Sequence, residues 1–281
     1  MTALSDASHQ PEKEVYWAVI GYARWWLAHD AGLLQMVKAG DNRLDEDSLT
    51  AIARTYGVAR GLPGKKEEQE NDRKLLLETL NKANDGWPEG LLARAKYCGQ
   101  IAAKLKNKEI TGRRDKDGVL KGTAPVSAVT KLMWFLQPKG WTVFDQWAAD
   151  GMGVPRHLGA QTRMRRFYQA LHEAGFDETR DELQGLADRS DWPSLHAARI
   201  LDFLVMRRGY LRQKSGASVN GTNALPSLPA LQGFLDALPS AASKSLRTLA
   251  NRAQEELGND ILLPSSLRGG KADEAIQEAA E

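Results

Sequence analysis

The sequence predicts an all-α protein, and three observations carry that reading. Apolar residues recur at helical spacing through most of the first 212 positions. Strand signals are almost absent, the exception being the short run Trp141–Phe144. Cap and first-turn residues stand where helices would begin, namely Pro88, Pro125 and the pair Ser190 and Asp191.

Taken in order, residues 12–38 show a helical pattern that carries Tyr16, Trp17, Tyr22, Trp25 and Trp26. Residues 41–56 and 67–84 follow, divided by the turn-rich stretch YGVARGLPGKK. The segment from Asp85 to Asn107 reads as one helix with Pro88 near its first turn. TGRRDKDGVLKG is a basic loop with an Asp-Gly turn. Further helical patterns cover 125–136, 146–151, 160–174, 178–188 and the strongly apolar run after Asp191. Beyond Arg212 the texture changes to Gly, Ser, Asn and Pro, which is linker composition. The expected organisation is a helical body over 1–213, a linker over 214–230 and a small helical C-terminal region over 231–281.

One cysteine, Cys98, makes neither an internal disulfide nor a cysteine-based metal site and suits a reducing, cytoplasmic setting. The polar N-terminus lacks the apolar core of a signal peptide, and no apolar run is long enough to span a membrane. The histidines lack metal-ligand spacing, so neither a metal site nor a cofactor is expected. Net charge is only +2, but the charge is segregated. From Arg94 to Lys121 nine basic residues oppose three acids; from Arg156 to His172 there are four arginines and no acid; from Glu173 to Asp191 seven acids oppose two arginines. Segregation of this kind can form a phosphate-facing surface on a nearly neutral chain, or only solvated helix faces.

The informative stretch is LKGTAPVSAVTKLMWFLQPKGWTVFDQWAAD, Leu120 to Asp150. Counting 100° per residue from Val126, Val129, Leu132, Met133, Phe135 and Leu136 share one broad arc. Ser127, Thr130, Lys131 and Trp134 fall on the other. Gly122 allows a tight turn, and free N–H groups at the helix start can hold a phosphate, with Lys121 adding charge. After the apolar run a single acid, Asp145, heads the next helix. An Asp there serves as a cap whether or not it does chemistry.

This stretch resembles the helix–hairpin–helix DNA glycosylases, in particular bacterial members related to 8-oxoguanine glycosylase. Their hairpin reads Leu-Pro-Gly-hydrophobic-Gly-x-x-x-Ala and leads through a helix to hydrophobic-x-Asp. Leu120, Gly122 and Ala128 match its first, third and ninth positions, and TVFD matches the approach to the acid. With Val126 on the seventh position, Asp145 follows nineteen residues later, as the pattern asks. VTKLMWF and FDQWAA carry the likeness to the 8-oxoguanine branch. The likeness is close over 115–150, with the hairpin at about 110–150, and loose over 12–212. Three departures stand out. Ala124 replaces the second hairpin glycine, Val126 occupies the position where lyase-competent members carry their Schiff-base lysine, and the four-cysteine cluster of some members is absent.

The resemblance implies that DNA is the partner and that a base is flipped from the helix. It makes Asp145 the carboxylate that stabilises an oxocarbenium-like sugar and directs water to it. Trp134, Trp141, Gln146 and Trp147 are candidates for contact with the flipped base. Arg113, Arg114, Lys121, Gly122, Thr123, Arg163 and Arg166 are candidates for the DNA backbone. Lys131 is the lysine nearest to the vacant position, yet on a regular helix it lies about 140° round from Val126. A monofunctional glycosylase is therefore the first expectation, serving base-excision repair or defence against phage with modified DNA. The alternatives are a bifunctional enzyme using Lys131 and a non-catalytic DNA-binding or scaffold protein of the same fold.

Overall fold

The computed structural model describes residues 18, 21–22, 25–63, 70–107, 110, 113–114, 120–121, 125–189 and 196–215. The body is all-helical apart from one two-residue ladder. A π-helical turn, Trp26–Asp30, runs into α1, Ala31–Ala39. Then come α2, Glu46–Thr55, and α3, Glu70–Asp85, with a 3-10 turn at Ala59–Gly61 between them. α4 spans Leu91–Asn107, α5 Val126–Leu136 and α6 Gln146–Gly151. α7 spans Ala160–Glu173, α8 Phe176–Arg189 and α9 Ala197–Ser215. No helix among the described residues is long and apolar enough to cross a membrane.

Several boundaries differ from the sequence reading, each for a local reason. Pro88 is not in the first turn of α4, which begins at Leu91; its carbonyl instead accepts a bond from Arg94 Nε at 3.0 Å. The loop TGRRDKDGVLKG contains a short antiparallel hairpin, Arg113–Arg114 (β1) against Leu120–Lys121 (β2). α9 starts at Ala197 and runs to Ser215, past the expected boundary. Ser190 and Asp191, Gly122 and Thr123, and residues 216–281 lie outside the described residues.

α5 is the hub, packing against α1, α2, α3, α4 and α7. Every residue from Val126 to Leu136 is buried except Ser127, which is half-buried. The sequence split this helix into an apolar arc and a polar one, but the polar arc does not face water. A helix surrounded on all sides must satisfy its polar groups internally. Ser127, Thr130 and Lys131 do so against the segment that follows.

That segment, Trp141–Phe144, belongs to neither a helix nor a strand among the described residues. Side chains satisfy its backbone instead. Thr130 Oγ1 accepts from Phe144 N at 3.1 Å, and Ser127 Oγ donates to Phe144 O at 3.2 Å. Tyr168 Oη, from α7, donates to Thr142 O at 2.7 Å. Phe144 is thus bonded through both its N–H and its C=O, which fixes the position of the residue after it, Asp145.

α6 is held with equal firmness. It crosses α9 in backbone-to-backbone contact at Gly151 and Gly209. A Cβ on Gly151 would stand 1.8 Å from the Val205 carbonyl oxygen, and one on Gly209 would stand 1.9 Å from that of Trp147. Only glycine permits this approach. From α7, Arg163 is ion-paired with Asp150 at 2.5 Å and donates to Gln146 O at 3.1 Å.

Candidate active site

Asp145 caps α6 in extended backbone geometry, its Oδ1 accepting from Trp147 N at 2.8 Å. The same carboxylate does more than cap. Its Oδ2 lies 3.2 Å from Lys131 Nζ, which also donates to Ser127 Oγ at 2.9 Å. Lys131 is 5% exposed, whereas the side chain of Asp145 keeps 22% of its surface open. α5 is helical throughout and Lys131 stands where its spacing places it, but Asp145 stands there too. The expectation that Lys131 points elsewhere is therefore corrected: its ammonium contacts the Asp145 carboxylate.

Both residues line a cavity of about 260 Å³. Its walls combine aromatic faces, Trp25, Tyr56, Trp147 and Phe203, with the cations Arg54 and Arg199 and a second carboxyl, Asp202. The volume lies just under the ~300–1,000 Å³ common for drug-sized ligands.

Part of the wall belongs to a buried polar network. Arg199 and Asp202, one turn apart on α9, form an ion pair in which both side chains are essentially inaccessible. Arg199 Nη2 donates to Tyr56 Oη at 3.2 Å, and Tyr56 Oη donates to Asp30 Oδ1 at 2.6 Å. Trp25 Nε1 donates to the same Asp30 oxygen at 2.9 Å. The Arg199 guanidinium lies 5.3 Å from the Trp134 ring centroid and 5.6 Å from that of Phe203, within cation–π range. The π-helical turn ends at Asp30 and delivers its carboxyl to this network. Burial pushes the Asp30 carboxyl up to about 6 and that of Asp202 up to about 7, against the pull of Arg199. Burial, with Arg199 beside it, lowers His196 to about 4.

The structure brings three of the sequence candidates together at the cavity: Asp145, Lys131 and Trp147. Other base-pocket candidates are corrected. Trp134 is fully buried beneath Arg199, away from the cavity surface. Trp141 is fully buried too, bonded to Gln137 O and packed against Trp87 and Tyr168. Large aromatics at helical spacing have gone to the core, where they bury the most surface. Gln146 is exposed on the outside of α6. Arg163 is also corrected: it is 7% exposed and clamps α6, so it is not a surface contact for DNA. Arg165 and Arg166 on the same helix are exposed, as are Lys96, Lys104 and Lys106 on α4. For Arg113, Arg114 and Lys121 the structure describes only backbone, a hairpin that places them on one ladder.

Sequence reasoning read Trp25 as a core residue of the first helical pattern and missed Asp30, Arg54, Tyr56, Arg199, Asp202 and Phe203. A signal for two of them was present: Arg199 and Asp202 stand three apart inside the apolar run ARILDFLVM, where an ionisable pair has to find internal partners. Among the described residues no group of three or more His, Cys, Asp and Glu side chains could hold a metal ion. Comparison with protein-family models, curated proteins and solved structures returned no match.

Proposed function

We propose that this chain is a DNA glycosylase that takes one modified base into the cavity and hydrolyses its N-glycosidic bond, with Asp145 as the catalytic carboxylate. The observation that carries this reading is the Lys131–Asp145 pair on the wall of an aromatic-lined cavity. Asp145 is held at a fixed position by the cap bond and by the pinned Phe144, yet remains partly open to the cavity. A preorganised anion of this kind stabilises positive charge developing on the sugar without having to reorganise. Aromatic faces offer stacking to an extruded base. The exposed arginines of α7 and lysines of α4 supply cations for the phosphate backbone. Repair of damaged bases and attack on modified phage bases both fit this chemistry.

A second reading within the enzyme class is favoured by the same contact. Lys131 Nζ is at the acid, so once it has given up a proton its amine can attack the anomeric sugar carbon as the bond to the base breaks and the base departs with the electron pair; opening of the sugar ring then gives a Schiff base, from which β-elimination expels the 3′-phosphate and cleaves the strand. The experiment is an abasic-site assay on duplex and single-stranded DNA carrying oxidised, deaminated and alkylated bases, run with and without borohydride. Excision without an adduct supports simple hydrolysis. A trapped adduct that is lost in Lys131→Ala makes Lys131 the nucleophile. No excision from any substrate rejects the enzyme reading.

A further inference from the structure

We propose that Asp202 is the general acid of this site: it hands a proton to the departing base while Asp145 faces the sugar. This rests on the glycosylase reading and narrows its substrates to bases that would otherwise leave as anions, that is, neutral modified bases.

The geometry supplies the reasons. Asp202 is wholly buried on α9 and lines the same cavity as Asp145 and Lys131. Arg199 holds its Oδ2, while its Oδ1 has no hydrogen-bond partner. Arg199 also faces Asp30, with Nε 3.9 Å from Asp30 Oδ2. One guanidinium therefore lies between two carboxyls that are both fully buried. If both were ionised, a negative charge would stand uncompensated in a dry interior; one added proton restores neutrality.

Hydrogen bonding decides which carboxyl holds that proton. Asp30 Oδ1 accepts from Tyr56 Oη and from Trp25 Nε1, and donors of this kind favour the ionised form. Asp202 Oδ1 has no partner within hydrogen-bond distance, as Asp30 Oδ2 has none, and the nearby Thr142 hydroxyl gives Asp202 one uncharged donor's pull toward ionisation against the two that Asp30 Oδ1 receives. The proton accordingly rests on Asp202. The other ionisable groups that act on Asp202 pull in both directions. Asp145 at the head of α6 favours protonation, Lys131 of α5 opposes it, and Tyr168 of α7 is a buried phenol held neutral by its burial. The direction of titration agrees, since burial raises the Asp202 carboxyl against the pull of Arg199.

Two carboxyls in one cavity with opposite protonation states can divide acid and base work between them. As the bond from the sugar carbon to the base nitrogen breaks, its electron pair goes to the base. The Asp202 proton is transferred to a ring nitrogen or carbonyl oxygen of the base, which departs neutral. The sugar cation forms beside the Asp145 carboxylate, and water adds to it, giving its proton to Asp145. Solvent then returns a proton to Asp202 and removes one from Asp145.

The test is the single-turnover excision rate from about pH 5.5 to about pH 9 on DNA carrying neutral lesions, 8-oxoguanine, hypoxanthine or uracil, and on DNA carrying 3-methyladenine, whose ring already bears the positive charge. On the neutral base the wild-type rate should be flat at low pH and fall about tenfold per pH unit once Asp202 ionises. On 3-methyladenine any excision should lack that limb. Asp202→Asn should lose at least roughly a hundredfold in excision of the neutral base, retain its affinity for the DNA, and show no limb. Should that variant fail to fold, the wild-type profiles alone decide. A neutral-base profile without the limb, an equal limb on 3-methyladenine, or a limb that persists in Asp202→Asn overturns the proposal. Absence of excision from every substrate instead rejects the glycosylase reading on which it rests.

Discussion

Lys131 Nζ and Asp145 Oδ2 stand 3.2 Å apart, joining the middle of α5 to the head of α6. The two residues are fourteen positions apart in sequence. Their contact depends on Phe144, which Ser127 and Thr130 of the same α5 helix hold through its backbone. The helix that carries the lysine thus also positions the acid.

This arrangement sets the expected outcome of charge removal. Asp145→Asn keeps the shape and a capping oxygen but removes the anion from the sugar. One preorganised charge at a developing cation is worth about 3–4 kcal/mol, so excision should fall by at least roughly two orders of magnitude. On the proposed reading affinity for DNA should change little, because the phosphates would be held by the exposed cations of α4 and α7. Gel-shift titration and single-turnover excision on one substrate measure the two quantities separately. An Asn variant that excises at the wild-type rate removes Asp145 from the chemistry.

Much of this was legible in the sequence, and what was not has physical causes. Helical periodicity located α5, α6 and α7 to within a residue or so because their apolar positions recur regularly. The acid at Asp145 was visible from its place after an apolar run and before a helix. The partner of that acid was not. A 3.6-residue period says which residues share a face, but not what lies against the face, and of the polar arc of α5 it is Lys131 that faces the cavity. The same limit hid Arg199 and Asp202, whose surroundings come from Trp25, Asp30 and Tyr56, more than 140 positions away in sequence. The run Trp141–Phe144 read as a strand because short apolar segments look alike whether neighbouring strands or side chains satisfy their backbone.

The glycine contact between α6 and α9 gives a prediction about stability. Gly151→Ala would put a methyl group 1.8 Å from the Val205 carbonyl oxygen, and Gly209→Ala one 1.9 Å from that of Trp147. Both neighbours are backbone, so relief requires the helices to part. Overpacking of this sort typically costs about 1–3 kcal/mol and here should reach or exceed the upper end. Each variant should lower the urea midpoint, and separation of the helices should also displace Asp145 and reduce excision. Gly32 in α1 is the contrast, having nothing within 4 Å of its Cβ position. Gly32→Ala should raise stability by up to about 1 kcal/mol through helix propensity. If Gly151→Ala unfolds at the wild-type midpoint, the close crossing does not exist in solution.

The buried carboxyls predict an unusual pH dependence of folding. An unfolded Asp titrates near 3.8, whereas burial raises Asp202 to about 7 and Asp30 to about 6 in the folded protein. Between those values the native state binds more protons than the unfolded chain, so stability falls as pH rises. His196 acts in the opposite sense: lowered from 6.5 to about 4 by burial, it binds fewer protons when folded, so its contribution rises with pH over that window. Asp30 and His196 largely offset each other between about pH 4 and 6, which leaves the slope of Asp202. One such group changes stability by about 1.4 kcal/mol per pH unit across its window. Its contribution is fully present below about pH 4 and is lost by about pH 7. Asp202→Asn mimics the protonated carboxyl and cannot ionise, so it should remove this slope. Urea unfolding from pH 5 to pH 8 should show the wild type losing stability relative to the variant as pH rises, with the gap levelling off above pH 7. Parallel curves for the two proteins would mean that Asp202 is ionised throughout, with Arg199 alone neutralising it.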